Sequence, residues 1–536
     1  MKKAIWKTCL VASALFVVWG CSASKPTFNA PISAAPQLFT LEPTQDRKTL
    51  QSTATGALAT LLADPANAEI TLVKADTALV SKETKVLAVS LPDGKKAQFN
   101  LRDFTTITPG IDGWVGYKPS AWKQAHPTAA SEIDNDPFYY LSLVREGDKL
   151  VGDVVVEGKR YRLTSISPGL HALIQVDETK LPPEAEPLVD SKASARDNTA
   201  GRVAQSAHST IRVLFLTTNQ RRARNPNYKA ELAQALNNAN QYMKNSDVQI
   251  TYQLAGYYDG DYDEAGRTHT QQLGDIRTAK PYSDRVLSER ERLGADLVVQ
   301  YSTVSSVCGV AWRPAFKANA HSLVSCLGSL AHEMGHNLGA THNWEEGDSA
   351  GAPPYMYGYR YTGTPRFRTQ MSYDCSGGSC PRIAYHSNPR LTYQGIPLGT
   401  AANHDVARRF NERREVVENF YPPANAVRVT VFDKLNMRGD SCSFNLDPKV
   451  RVTLIENVCG ASWNHKVWSA RIENMGPQKT LYLGNTFARH TYISHTYAGD
   501  FNIYGVSAAA IDLPAGMEMK PHRNSLTRQI KQVELQ

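Results

Sequence analysis

One stretch of the chain reads His332-Glu333-Met334-Gly335-His336-Asn337-Leu338-Gly339-Ala340-Thr341-His342. Residues four apart share one face of a helix, so His332 and His336 can offer two imidazoles to a single cation. Glu333 then stands beside that cation but off the ligand line, where its carboxylate reaches a water on the metal. Leu327, Leu330, Ala331, Met334 and Leu338 supply the apolar stripe that buries such a helix. Gly339 can adopt the positive φ that ends it, and His342 swings back as a third ligand. Three neutral imidazoles with one position left to water describe a catalytic zinc site, not a closed structural one. Bare His-Glu-x-x-His patterns arise by chance. Adding a glycine and a histidine at fixed places, with 35 Gly and 14 His in 536 residues, lowers the odds to about 1 in 600 by composition.

Further along comes Phe367-Arg368-Thr369-Gln370-Met371-Ser372-Tyr373. The long histidine motif followed by a Met-Ser-Tyr turn resembles the metzincin metallopeptidases. That resemblance implies Zn2+ held by His332, His336 and His342, with Glu333 as general base. It also implies Met371 as an apolar support that makes no bond to zinc. Tyr373 matches the tyrosine with which astacins and serralysins steady the oxyanion. Within the clan the chain is similar to the reprolysin-like bacterial peptidyl-Asp metalloendopeptidases. The similarity rests on Cys308-Gly309-Val310-Ala311, on Tyr373-Asp374-Cys375 to Cys380-Pro381-Arg382-Ile383, and on Asn388-Pro389, and it spans residues 210–422. It implies a zinc endopeptidase acting on extracellular proteins or peptides, with a preference for acidic residues that Arg382 could read as a guanidinium fork. A plain ion pair is the competing role for Arg382. The chain departs from the family at Asn343-Trp344, where Asp-Trp is usual; the ligand set is untouched, but specificity is put in question.

The elements that position these residues are legible in outline. Residues 211–216, 248–254 and 297–301 are apolar strands, and 228–243, 282–293 and 403–419 have helical spacing. Their alternation predicts an α/β catalytic domain with a mixed sheet and a zinc helix over residues 210–422. Upstream, short apolar runs at 85–89, 97–101, 139–144, 150–156 and 161–165 are punctuated by Pro92-Asp93-Gly94, Gly147 and Gly158. They predict an antiparallel meander, a β-rich pro-domain over residues 21–177. Residues 178–209, with Pro182, Pro183 and Pro187 and then many small and charged residues, read as a linker. Many metzincin pro-segments block zinc with a free cysteine, but residues 30–209 contain none. Inhibition here would need a carboxylate or steric cover; a folding or binding domain is the alternative. Residues 426–536 return to short strands and resemble in part a βγ-crystallin-like Greek-key module. Asn436, Gly439 and the run from Trp463 to Ser469 carry that likeness, while His465 and Trp468 argue against its calcium-binding form.

Lys2, Lys3 and Lys7 precede a short apolar run that ends in Val18-Trp19-Gly20-Cys21. Such a run fits an export signal over residues 1–20, with Cys21 either lipidated or lost to ordinary cleavage nearby. The precursor is then anchored at the cell envelope by that lipid alone, and the peptidase can be released outside. Beyond Cys9 and Cys21, the six cysteines allow 15 connectivities; they fall as three neighbouring couples, and disulfides suit an exported chain better than buried thiols. A net charge of +8 without a long basic block argues against a nucleic-acid partner. A surface lipoprotein with a binding role and little turnover is the alternative function, although it would not need the histidines and Glu333 intact.

Overall fold

The computed structural model describes residues 35–43, 46–191, 197–204, 206–349, 351–421 and 427–446, and shorter stretches between 452 and 535. The export run, Cys21 and His465 lie outside the described residues. No helix among those described is long and apolar enough to cross a membrane.

The N-terminal region is a nine-stranded antiparallel sheet: β1 (Phe39–Leu41), β2 (Asn67–Ala75), β3 (Val86–Ser90), β4 (Lys96–Thr108), β5 (Ile111–Pro119), β6 (Asn135–Glu146), β7 (Lys149–Val156), β8 (Lys159–Ser167) and β9 (Leu170–Val176). Its order is β1-β2-β9-β8-β7-β6-β5-β4-β3, so β3 to β9 form the expected meander. Gly147 and Gly158, at φ 63° and 76°, make two of its tight reversals at no Cβ cost. One face buries Leu87, Phe99, Trp114, Leu141, Leu143 and Leu163.

The next layer is a five-stranded sheet with helices. Its elements are β10 (Ser209–Thr217), α1 (Tyr228–Asn245), β11 (Ile250–Tyr258), α2 (His269–Thr278), α3 (Tyr282–Leu293), β12 (Leu297–Tyr301), β13 (Gly309–Ala311), β14 (His321–Val324), α4 (Leu330–Asn337) and α5 (Val406–Glu418). The order is β11-β10-β12-β14-β13. Neighbours pair in parallel except β13, the antiparallel edge strand. Strands β10 and β12 are buried along nearly their whole length, as their unbroken apolar runs require. Leu232, Leu236, Val299, Leu330, Met334, Met371 and Phe410 meet in one core, which fixes α4 between the sheet, α1 and α5.

The two layers touch across α1. Ile111, Val144 and Val151 pack on Ala230 and Ala233, while buried Asp153 accepts hydrogen bonds from Gln234 and Asn238, each 2.8 Å long. Residues 178–209, whose composition suggests a linker, are tied down at several points. Asp197, Arg202 and Ser206 all contact α5. Disulfides join Cys308 to Cys326, Cys375 to Cys380 and Cys442 to Cys459, the neighbour pairing.

Beyond α5, strands Val427–Phe432, Ser441–Leu446, Ser469–Met475 and Gly499–Ile503 form an antiparallel four-stranded sheet. The Ser469 hydroxyl donates to Lys434 O (2.6 Å) and accepts from Met437 N (2.8 Å), pinning the turn after the first of these strands.

Candidate active site

Helix α4 carries the first part of the site, with every residue from Leu330 to Asn337 buried. Its end is forced by Gly339 at φ +92°, after which Ala340 N donates to Gly335 O at 3.0 Å. The chain then doubles back, and residues Thr341–Asn343 form a short strand paired with Tyr357–Gly358. That reversal carries His342 to the face that His332 and His336 already share.

The three imidazoles converge. His332 Nε2 lies 3.1 Å from both His336 Nε2 and His342 Nε2. His332 Nδ1 donates to Gln370 O and His336 Nδ1 to Ala340 O, each at 2.9 Å. Those backbone acceptors set the tautomer, leaving the Nε2 lone pairs to face one another. Burial, and then each other's proximity, hold His332 and His336 well below the usual imidazole range, so both stay neutral. Converging neutral lone pairs with no donor between them suit a soft-to-borderline divalent cation, and the nitrogen-only set suits zinc.

Glu333 is fully buried, and neither carboxylate oxygen has a hydrogen-bond partner among the described residues. Burial, followed by the charge of Glu184, pushes its carboxyl well above the ordinary range. Room for it comes from Gly309 on β13, where any Cβ would collide with the Glu333 carboxylate. Gly335 serves likewise below the histidines: a Cβ there would strike Met371 Sδ. Met371 is itself fully buried, and its turn is closed by Ser372 N donating to Thr369 O at 3.1 Å.

Tyr373 packs against His342 with its ring tilted by 31° and the ring centroids 4.0 Å apart. Its backbone N–H lies 3.4 Å from Asn343 Oδ1, so the amide at the position that departs from the family still offers an acceptor. The Tyr373 hydroxyl does not point at free space. It donates to Glu186 Oε1 at 2.7 Å, and the same oxygen lies 3.3 Å from His342 Nδ1. Hydrogen bonding from His342, opposed by burial and helped by Tyr373, holds the Glu186 carboxyl down at about 2. Burial and then the Glu186 bond push the Tyr373 hydroxyl up.

Glu184 is the second residue that sequence reasoning passed over. Its carboxylate, His332 and Glu333 each place a potential ligand atom within 4.8 Å of the others. It also takes a hydrogen bond from Ser329 Oγ (2.6 Å) and pairs with Arg382 Nη2 (3.3 Å). The signal was present: Pro-Pro-Glu-Ala-Glu-Pro is a run with extended bias whose two acids, two apart, fall on one side.

Comparison with known proteins agrees with this geometry. Residues 229–343 match the profile of Reprolysin_3, described as a metallo-peptidase family M12B reprolysin-like domain. The chain is 33% identical over 370 residues to a peptidyl-Asp metalloendopeptidase of Xanthomonas campestris pv. campestris, an alignment covering 67% of this chain and 87% of that protein. A protein of the same name from Stenotrophomonas maltophilia is 33% identical over 367 residues, covering 66% of this chain and 86% of that one.

Proposed function

From the premise that this chain belongs to the reprolysin-like metallopeptidases, in one family with the bacterial peptidyl-Asp metalloendopeptidases, we propose how its residues divide the work of a zinc metalloendopeptidase. His332, His336 and His342 hold the zinc. Bound there, the metal would lower the pKa of a water toward neutrality and polarise the scissile carbonyl. Glu333 is placed to take a proton from the attacking water and deliver it to the leaving amine. The Tyr373 hydroxyl, once free of Glu186, donates to the developing oxyanion. What chiefly supports this assignment is the unpartnered, buried carboxylate of Glu333 next to three converging imidazole nitrogens. A buried acid without a partner is costly to keep unless a reactant completes its hydrogen bonding.

Substrates are extracellular proteins or peptides, and we read an acidic residue as the preferred side chain. Arg382 is buried enough to be stripped of bulk water, its side chain 15% exposed, and its fork matches a carboxylate. Cleavage-site profiling on a peptide library is expected to show enrichment of Asp and Glu next to the scissile bond. In Arg382→Ala that enrichment is expected to fall at least about 10-fold, the worth of one charged hydrogen bond. A flat profile in the wild type, or an unchanged one in the variant, removes the reading.

The precursor is exported through its N-terminal signal and held by a lipid on Cys21 until the chain is cut within residues 178–209. The ion pair of Asp197 with Arg413 on α5 supports a cut ahead of it, since a fragment lacking Asp197 would lose a buried charge from the catalytic layer. The N-terminus of the active species is therefore expected between residues 189 and 197. Sequencing the soluble active form checks this; an active form found only at full length in membranes rules out release. We read residues 426–536 as a separate, non-catalytic Greek-key module.

A further inference from the structure

We infer that Asp197 is a positioning residue for the third zinc ligand. Through the buried guanidiniums of Arg409 and Arg413 it holds the end of α4 and the Gly339 turn from which His342 reaches the metal. The inference rests on the reading of His342 as a ligand and adds to the site a residue from outside the histidine motif.

His342 depends on the reversal at Gly339, and two side chains of α5 lie against that reversal. A Cβ on Gly339 would come 2.8 Å from Arg409 Nε and 2.9 Å from Arg413 Cδ. Glycine is thus needed there for space as well as for its positive φ. Arg413 also steadies the helix end. Its Nη2 donates to Ala315 O (2.6 Å), and Ala315 N donates to Asn337 O (2.9 Å), on the last residue of α4. The final carbonyls of a helix have no partner within it and carry partial negative charge. The relay from Arg413 gives one of them a donor and brings a cation close to that end.

Two guanidiniums sharing one buried spot repel each other unless an anion joins them, because water cannot screen them there. Asp197 is that anion. Its Oδ1 lies 2.8 Å from Arg413 Nη1, and its Oδ2 accepts from Arg409 Nη2. Thr199 locks the arrangement: its hydroxyl donates to Asp197 Oδ1 (2.6 Å) and accepts from Arg409 Nη1 (2.9 Å). Glu412 is a poor substitute. It stands 3.8 Å from Arg409 Nη1 and already takes hydrogen bonds from Tyr355 Oη (2.7 Å) and Arg408 Nε (3.0 Å). Without the Asp197 charge, the repulsion between Arg409 and Arg413 acts on the turn they both touch. His332 and His336 are held by α4 and by the carbonyls of Gln370 and Ala340. His342, beyond the turn, is the ligand that a shift at Gly339 displaces.

The test uses the full chain loaded with zinc and follows transfer of the metal to a chromogenic chelator. Asp197→Asn is expected to release zinc at least about 10-fold faster than wild type, the lower end of what groups behind metal ligands contribute to affinity. Asp197→Glu, which keeps the charge, recovers most of the loss. The visible spectrum of the Co2+-loaded protein, which reports ligand geometry, shifts in Asp197→Asn and not in Asp197→Glu. Asp275→Asn is the control: Asp275, on α2, pairs with Arg267, and α2 packs on the sheet face opposite α4. It is expected to lower the denaturant midpoint and leave zinc release unchanged. If Asp197→Asn does not fold, Thr199→Val takes its place, with release expected about 3-fold faster, the size of one neutral hydrogen bond. Release at the wild-type rate from folded Asp197→Asn, or from Thr199→Val in its stead, overturns the assignment, as does equal acceleration in Asp275→Asn. If His342→Ala keeps zinc as firmly as wild type, the ligand reading itself fails and the positioning role falls with it.

Discussion

Glu333→Gln is expected to lower kcat for peptide hydrolysis by about 10²–10⁴-fold, the usual worth of general acid–base catalysis, while zinc content stays at the wild-type level. Glutamine preserves the volume against Gly309, where no Cβ can be accommodated beside the Glu333 carboxylate, so the packing of α4 is kept. What is lost is the carboxylate on the zinc helix that the proposed chemistry uses to carry a proton from water to amine. His342→Ala should behave differently: one of three nitrogen ligands disappears, and metal and activity are lost together. Metal analysis of both purified variants beside casein hydrolysis separates the two roles. A Glu333→Gln enzyme with ordinary turnover would take the residue out of the mechanism.

Asp197→Ala is expected to destabilise the catalytic layer by about 3–5 kcal/mol, the cost of stranding a buried charge. Asp197 lies 2.8 Å from Arg413 Nη1 and pairs also with Arg409, and these two arginine side chains are only 1% and 2% exposed. Burial raises the Asp197 carboxyl, but Arg413 and Arg409 outweigh it and bring the pKa down to about 2. A carboxyl depressed in the folded state contributes stability above its unfolded value of about 3.9, and that contribution fades as pH falls toward about 2. A shift of nearly two units corresponds to about 2–3 kcal/mol. The gap between the denaturant midpoints of wild type and Asp197→Asn should therefore be smaller at pH 3 than at pH 6. Equal midpoints for all three proteins at pH 6 would remove Asp197 from the stability argument.

How much was legible beforehand follows from the range of the interactions. Helices α1 and α3 and strands β10 and β12 lie where periodicity puts them, because each buries a stripe or a run that only one period satisfies. The three histidines and Glu333 were legible for the same reason: a helix and one glycine bring them together within eleven consecutive residues. Glu184, Glu186 and Asp197 were not, since their partners Arg382, Tyr373 and Arg413 lie far along the chain. Composition marked residues 178–209 as a linker because Pro, Ser and Asp are common in linkers. The same residues are also what an extended segment needs when its hydrogen bonds are made with another strand's edge.

Residues 183–188 dock at the edge strand β13 through four backbone hydrogen bonds, with a consequence for how sharply the protein can change state. While the chain is whole, this segment meets its cleft at an effective concentration set by its tether, of millimolar order for short connections. After one cut between Leu188 and Asp197, the segment stays beside the cleft only through the packing of the N-terminal sheet on α1, and once that sheet parts it returns only at the concentration of the protein itself, which in a dilute medium is lower by orders of magnitude. The four backbone hydrogen bonds and the Arg382 contact need not change in strength at all. The docked face of the whole N-terminal layer, and not the short segment alone, therefore sets how long the cut chain stays together. Crowded near its source, the two pieces of a cut chain would stay together; diluted away from it, they would part.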